Sequence, residues 1–158
     1  MIVFSISAVE KAPVTLCGVL EKEFMTLDGS DSFAVTGGME YKLTARKVSG
    51  GILVSGACHA PVHTTCGRCL KEFDFELELP DAQMFFEIAP GMEELDVSED
   101  VRAELLLELP MNPLCDESCR GLCPVCGIDR NEAECSCETE ESAEKISPWS
   151  ALDDLTLD

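Results

Sequence analysis

The chain has 158 residues, of which 31 are acidic and 11 are basic, so its formal net charge is −20. This length allows one domain with a real hydrophobic core, since chains of this size bury roughly 70% of their unfolded surface. The acids concentrate in residues 61–158, which carry 25 acids against six bases, whereas residues 1–60 carry six against five. A negative field of this size disfavours direct binding to nucleic acid and makes a basic protein the better electrostatic partner.

The first 90 residues predict a mostly antiparallel β structure. Residues 39–48 alternate apolar and polar side chains with period two, and Ser49-Gly50-Gly51 then forms a hairpin turn. Residues 73–79 alternate as clearly, with Phe and Leu on one face and Asp and Glu on the other. Weaker strand patterns lie at 2–7, 14–24, 52–66 and 83–88.

A long helix is predicted near residues 98–109. Ser98 is the expected N-cap, with Glu99 and Asp100 in the first turn, where the helix dipole favours negative charge. Pro110 ends the pattern. The apolar face consists of Val101, Leu105, Leu106 and Leu109.

These elements predict an α+β fold in a single domain. Its parts are a β-rich region at 1–97, a helix and cysteine cluster at 98–137, and an acidic linker with a short terminal helix at 138–158. The short helix is expected to begin at Ser147-Pro148.

The chain is predicted to reside in the cytoplasm. The N-terminal MIVFSISAVEK lacks the basic region and long apolar stretch of a secretory signal, and no apolar run is long enough to cross a bilayer. Thiols stay reduced in the cytoplasm, so ten cysteines indicate metal ligands before disulfides.

Eight cysteines occur at spacings suited to metal ligation. Two C-x-x-C segments, Cys66–Cys69 and Cys123–Cys126, have the form of knuckles that offer two thiolates to one ion, and closed sulfur coordination is typical of structural zinc. The candidate ligands are Cys66, Cys69, Cys115, Cys119, Cys123, Cys126, Cys135 and Cys137.

The set is large enough for two Zn²⁺ sites, but one site with spare thiols fits the spacing equally well. At least one site built from the 115–126 cluster is favoured, and the distribution of Cys66/Cys69 and Cys135/Cys137 stays open. An iron–sulfur cluster and a redox C-x-x-C are the alternatives.

The two remaining cysteines and the two histidines are expected to serve other purposes. Cys17 and Cys58 have apolar or small neighbours and are predicted to be buried as small hydrophobic side chains. His59 and His63 would lie on the strand face opposite Cys66, so they are not expected to be ligands. No HExxH motif, phosphate-binding glycine loop or nucleophile elbow is present, so no catalytic residue is predicted.

Several motifs together resemble the bacterial YceD family of large ribosomal RNA subunit accumulation proteins. They are TTCGRCLKEF (64–73), LELPMNPLC (107–115), CRGLCPVCG (119–127), CSC (135–137) and SPWSALDDL (147–155), in the family's order and spacing. The resemblance implies a cytoplasmic factor that supports normal amounts of 23S ribosomal RNA, encoded beside large-subunit ribosomal protein L32. It carries the eight motif cysteines over by position and no catalytic residue.

The function expected from the sequence is therefore that of a non-enzymatic ribosome-biogenesis factor. Its partner would be a basic large-subunit ribosomal protein, L32 being a candidate, or the pre-ribosomal large subunit, with no membrane and no small-molecule substrate. Two alternatives remain: a zinc-stabilised interaction domain without a ribosomal role, and a thiol-redox or rRNA-processing enzyme.

Overall fold

The computed structural model describes residues 1–25 and 32–137. The predicted acidic linker and short terminal helix at 138–158 lie outside the described residues. The strands are β1 (Val3–Ser5), β2 (Val14–Leu20), β3 (Phe33–Val35), β4 (Met39–Val48), β5 (Gly51–Thr65), β6 (Glu72–Glu87) and β7 (Glu94–Asp96). The α-helices are α1 (Ile6–Val9) and α2 (Ser98–Leu107), and a 3₁₀ helix covers Lys22–Met25.

The centre of the main sheet is β5, which pairs on both edges. Along one edge it pairs antiparallel with β6 from Gly51 to Thr65. Along the other edge, β4 pairs with the first half of β5 and β3 pairs with the second half of β5. The strand β2 in turn pairs with β4. A separate two-stranded sheet joins β1 to β7, with Val3 opposite Asp96.

A bulge explains why β6 is one strand of sixteen residues rather than the two strands that the sequence predicts. The register shifts so that Pro80 and Asp81 together lie opposite Ala57. Proline has no N–H to donate, so a bulge is a place where a sheet tolerates it. The extra residue also moves the buried face from odd-numbered Leu77 and Leu79 to even-numbered Ala82 and Met84.

The hydrophobic core lies between the sheets and α2. Its largest fully buried side chains are Ile2, Phe4, Val9, Met25, Met39, Leu43, Ile52, Val54, Val62, Val97, Val101 and Leu105. The helix α2 packs against β6. Ser98 joins the N-terminus to this core, because its buried hydroxyl accepts the Ile2 N–H at 2.6 Å and donates to Asp96 Oδ1 at 2.6 Å.

The predicted α+β class and the long helix are both wrong. The described residues are mostly β, and α2, with ten residues, is their one α-helix of more than four residues. Ser98 is the first helical residue rather than the N-cap, and the side chain that accepts its N–H is Asp96. The helix ends at Leu107, whose side chain is 77% exposed. It does not reach Leu109 because Pro110 disfavours helical backbone at the residue that precedes it.

Within the described residues, no helix is long and apolar enough to cross a membrane. The division into a β-rich part, a helix with a cysteine cluster and a terminal part stays a prediction. From Glu108 to Cys137 the chain has no further helix or named strand, and its only ladder pairing is the bridge between Leu122 and Asp129.

Candidate metal centre

Eight cysteines form two groups of four. The first group contains Cys66, Cys69, Cys115 and Cys119, and the second contains Cys123, Cys126, Cys135 and Cys137. Within each group all four sulfur atoms lie within 4.8 Å of one another. Among the described residues no other cluster of three or more cysteine, histidine or carboxylate side chains has this arrangement.

The two knuckles have the same backbone hydrogen bonds although they lie in different contexts. In the first, Cys66 N–H donates to Lys71 O at 2.8 Å, and Leu70 N–H donates to Cys66 O at 3.0 Å. In the second, Cys123 N–H donates to Ile128 O at 2.8 Å, and Gly127 N–H donates to Cys123 O at 2.9 Å. Both turns place the residue after the second cysteine in the left-handed region, with φ of 59° at Leu70 and 74° at Gly127.

The main sheet positions the first knuckle. Cys66 directly follows β5 and Cys69 shortly precedes β6, so the turn of this hairpin carries both thiols. Cys115 and Cys119 arrive from the segment after α2. There Asp116 accepts the Ser118 N–H at 2.8 Å, which turns the chain so that Cys119 returns to the group.

The first group is mostly buried and the second is more exposed. Cys66, Cys69 and Cys119 are buried while Cys115 is exposed. In the second group only Cys123 is buried, Cys126 is exposed, and Cys135 and Cys137 are intermediate. The ion in the second group would therefore be the more accessible to competing ligands.

Backbone N–H groups favour the thiolate form of one cysteine in each group. At Cys66 burial opposes ionisation, but the N–H groups of Cys115, Cys69 and Arg68 outweigh it and lower the pKa to about 6. The N–H groups of Cys126 and Val125 lower the pKa of Cys123 to about 6.

Hydrogen bonds with neighbouring cysteine side chains raise the pKa of one other thiol in each group. Cys69 is the main neighbour that raises the pKa of Cys115 to about 12. Cys126 acts in the same way on Cys137, whose pKa is also raised to about 12. Four thiolates so close together therefore need a cation to compensate their charge.

The sulfur spacing fits a single tetrahedral ion. A Zn–S bond of about 2.3 Å places tetrahedral sulfurs about 3.8 Å apart. The Cys66 and Cys119 sulfurs are 3.9 Å apart, and those of Cys69 and Cys115 are 3.6 Å apart. A cluster of several irons would hold its cysteines farther apart, so the iron–sulfur alternative fits less well. Both groups can therefore hold a metal ion.

The structure does not keep the 115–126 cluster together, which was favoured as the basis of at least one site, and it assigns the two pairs that were left open. Cys115 and Cys119 join the first knuckle, whereas Cys123 and Cys126 join Cys135 and Cys137. The division follows from the hairpin, which brings its own two thiols to the chain that follows α2. That each of the eight cysteines is a ligand stays a prediction.

The remaining cysteines and histidines lie outside both groups. Cys58 is buried as expected, but Cys17 is exposed, so that expectation was wrong. The reason is that Cys17 lies on the face of β2 opposite to Val14 and Leu16, which pack against the core. His59 lies near Glu40, and His63 Nδ1 is 2.7 Å from Asp74 Oδ1.

Three residues that the sequence did not single out as site residues connect the two groups. Arg68 Nη1 donates to Cys119 O at 2.9 Å, and Arg68 O accepts the Leu122 N–H at 3.0 Å. Lys71 Nζ contacts Glu132, and Asn131 donates to the Cys119 sulfur. The sequence offered one signal for these three residues, namely their position beside or between the knuckles. Their hydrogen-bond partners are distant in sequence, so local patterns could not reveal the contacts.

The fold and the site together define the class of this protein as a small β protein with two four-cysteine groups. The profile of one family, "Large ribosomal RNA subunit accumulation protein YceD", matches residues 54–156. The chain therefore belongs to the YceD family, and the resemblance seen in the motifs is confirmed. The family's name links it to accumulation of the large-subunit ribosomal RNA.

Curated relatives cover parts of the chain. An uncharacterized protein of Mycobacterium tuberculosis is 29% identical over 104 residues, which are 57% of this chain and 50% of that protein. The chloroplastic YCED homolog 1 of Arabidopsis thaliana, named a large ribosomal RNA subunit accumulation protein, is 34% identical over 63 residues, 40% of this chain and 20% of that protein. The chain spans about half the length, or less, of these relatives. No solved structure matches it significantly.

Proposed function

We propose that this protein is a non-enzymatic ribosome-biogenesis factor that supports large-subunit rRNA accumulation by binding a basic protein of the large subunit. Family membership supports the ribosomal setting. The observation that carries the choice of partner is a row of carboxylates along the outer face of β6. This acidic row consists of Glu72, Asp74, Glu76 and Glu78.

The acidic row faces solvent and repeats regularly. All four side chains belong to exposed residues, and those of Glu72 and Asp74 are 76% and 74% exposed. Alternate residues of a strand lie on one face about 7 Å apart. Directly across on β5 lie Thr65, His63, Pro61 and His59, so no Lys or Arg neutralises the row from that strand.

Such a row repels phosphate and attracts Lys and Arg. A basic ribosomal protein, alone or within the immature large subunit, would gain from it both in encounter rate and in specificity. Direct contact with rRNA is the less favourable arrangement. Nothing in the fold distinguishes L32 from other basic proteins, so L32 is a candidate partner on the family resemblance alone.

The absence of catalysis is part of the same proposal. Metal ions held by four thiolates have no open coordination position for a water or a substrate. The Cys66–Cys69 pair lies at the turn of a β hairpin, whereas redox C-x-x-C motifs act at the start of a helix in a βαβ setting. Both points favour a binding role over thiol-redox or nuclease chemistry.

The test is a pull-down of tagged protein from cells, with and without RNase, read by mass spectrometry and RNA sequencing. We expect basic large-subunit proteins to remain bound after RNase and to dissociate near 1 M salt, where surface charges are screened. Loss of all ribosomal components after RNase would mean that RNA carries the contact. Recovery of no ribosomal component would favour an interaction domain without a ribosomal role.

A matched pair of charge-reversal variants locates the surface. Glu76→Lys with Glu78→Lys changes the acidic row, and Glu104→Lys with Glu108→Lys makes the same charge change at exposed positions in and beside α2. Only the first variant should lose the partner. Equal losses in both would mean that net charge, rather than this row, determines binding.

A further inference from the structure

The segment between Cys126 and Cys135 connects two cysteines of the second group, yet some of its side chains form hydrogen bonds with residues of or beside the first group. A metal ion in the second group would close this segment into a ring, because both flanking cysteines would bind the same ion. Within the ring, Glu132 and Ala133 both donate N–H groups to Asp129 O, which shapes a compact turn. The residues of this turn contact the segment around Cys119 and the first knuckle.

Asn131 makes the most direct of these contacts. Its Nδ2 donates to the Cys119 sulfur at 3.3 Å and to Asp129 Oδ1 at 2.7 Å. Its Oδ1 accepts the Arg120 N–H at 2.7 Å, which orients the amide so that the NH₂ group faces the sulfur. Hydrogen bonds from outside the ligand set orient metal ligands, and losing one commonly costs about 10- to 100-fold in metal affinity.

Further contacts attach the same turn to the first knuckle and to the segment that follows Cys119. Lys71 Nζ lies 2.5 Å from Glu132 Oε1 and 3.2 Å from Asp129 Oδ2. Arg130 N–H donates to Gly121 O at 2.9 Å. Lys71 comes two residues after Cys69, so these ion pairs join the loop of one group to the knuckle of the other.

We propose that the two metal sites load cooperatively, with Asn131 as the positioning residue that transmits the effect. An ion in the second group closes the turn that holds the Asn131 amide on the Cys119 sulfur, and that hydrogen bond stabilises the ion in the first group. Binding linkage is reciprocal, so an ion in the first group strengthens binding at the second by the same factor. Charge repulsion between two thiolate groups acts in the opposite direction, so the sign of the coupling is a sharp test.

The experiment measures Zn²⁺ affinity on purified full-length protein by competition with a chromogenic chelator. Cys126→Ser with Cys137→Ser leaves only the first site, and Cys69→Ser with Cys115→Ser leaves only the second. The coupling factor is the overall two-ion constant of the unmodified protein divided by the product of the two single-site constants. We expect a factor of about ten.

Asn131→Asp tests the residue itself. It preserves the side-chain shape and the acceptor for Arg120 N–H, but it presents oxygen instead of NH₂ to the Cys119 sulfur. The coupling factor should fall toward one, and the substitution should have little effect once Cys126 and Cys137 are serine. Cobalt-substituted protein adds a spectroscopic readout, since the sulfur-to-cobalt absorption of the first site should shift in Asn131→Asp. Asn131→Ala, which adds no charge, should give the same loss of coupling.

Gln83→Glu is the matched control. It also replaces a side-chain amide with a carboxylate at an exposed position, but on β6 away from both cysteine groups. A coupling factor of one or less in the unmodified protein would overturn the proposal, as would equal losses in Asn131→Asp and Gln83→Glu. A protein that binds no Zn²⁺ would overturn it as well. None of these results depends on a ribosomal partner.

Discussion

The sheet region and the cysteine region of this protein depend on different forces. The sheet region and α2 share a continuous core of buried aliphatic and aromatic side chains. In the cysteine region the buried cluster consists of Cys66, Cys69 and Cys119, with Phe73 and Leu114 partly buried beside it. A segment with so few apolar side chains does not fold by burial alone, so we expect metal ligation to supply the stability that hydrophobic packing does not.

The largest expected effect is that metal removal separates the two regions. In chelator-treated protein the amide hydrogens of Leu122, Cys123 and Gly127 should exchange at least about 100-fold faster, because binding energies of such sites reach about 10 kcal/mol or more. The amides of Val54 and Val62 in the sheet should keep their protection. Hydrogen exchange read by mass spectrometry measures both regions at once.

Cys123→Ser should reproduce this loss for the second group, with lower metal content and a protease-sensitive segment after α2. Cys17→Ser, at an exposed cysteine outside both groups, is the control and should change nothing. Unchanged protection of residues 122–127 in metal-free protein would show that the cysteine region folds without metal.

A substitution in the hydrophobic core should destabilise the sheet region, in contrast to metal removal, which is expected to loosen the cysteine region. Leu105 is fully buried in α2, so Leu105→Ala should lower the free energy of unfolding by about 2–5 kcal/mol through lost burial and a cavity. Leu107→Ala in the same helix removes a side chain that is 77% exposed, and it should change the free energy of unfolding by less than about 0.5 kcal/mol. Urea denaturation measures both, and equal effects would contradict the proposed packing of α2.

Ser98→Ala should have an intermediate effect. It leaves the buried N–H of Ile2 without its acceptor, which should cost about 1–3 kcal/mol in the free energy of unfolding. Ser7→Ala at an exposed position is the matched control. A Ser98 variant as stable as the control would mean that the N-terminus is not held to α2 by this hydrogen bond.

The smallest expected effect is the change in stability when Leu70 of the first knuckle is replaced by the glycine found at the matching position of the second. Leu70 takes the left-handed conformation that glycine takes in the second knuckle, and this conformation costs a non-glycine residue roughly 1–2 kcal/mol. Because glycine also gains entropy in the unfolded chain, Leu70→Gly should stabilise the protein by at most about 1 kcal/mol.

Val125→Gly is the control for Leu70→Gly, because Val125 is also exposed but has no positive φ. It should be neutral or slightly destabilising in thermal unfolding. A destabilising Leu70→Gly would show that the Leu70 side chain makes a contact that outweighs its backbone strain.

Several features could be predicted from the sequence because they depend on local patterns. The alternation at 39–48 predicted β4 with both ends correct, and the motif cysteines predicted the family. The two-strand prediction at 73–88 failed because a proline and a change of alternation indicate a break, whereas a bulge carried the strand through Pro80. The helix was predicted to reach residue 109 because the apolar spacing continues to Leu109, which still packs against the core, whereas Pro110 disfavours helical backbone there.

The sequence by itself determined the β-rich N-terminal region, the acidic charge, the family and the identity of the eight cysteines. Only the tertiary structure decided which cysteines lie together, because the hairpin of β5 and β6 brings Cys66 and Cys69 to thiols that lie 53 and 46 residues later in the chain. It alone placed Asn131 on a sulfur of the other group. It also showed that no Lys or Arg lies directly across on β5 from the acidic face of β6, which the alternation had predicted. The spacing of residues along the chain determines local strands, helices and knuckles, whereas contacts between distant segments depend on how the whole chain packs.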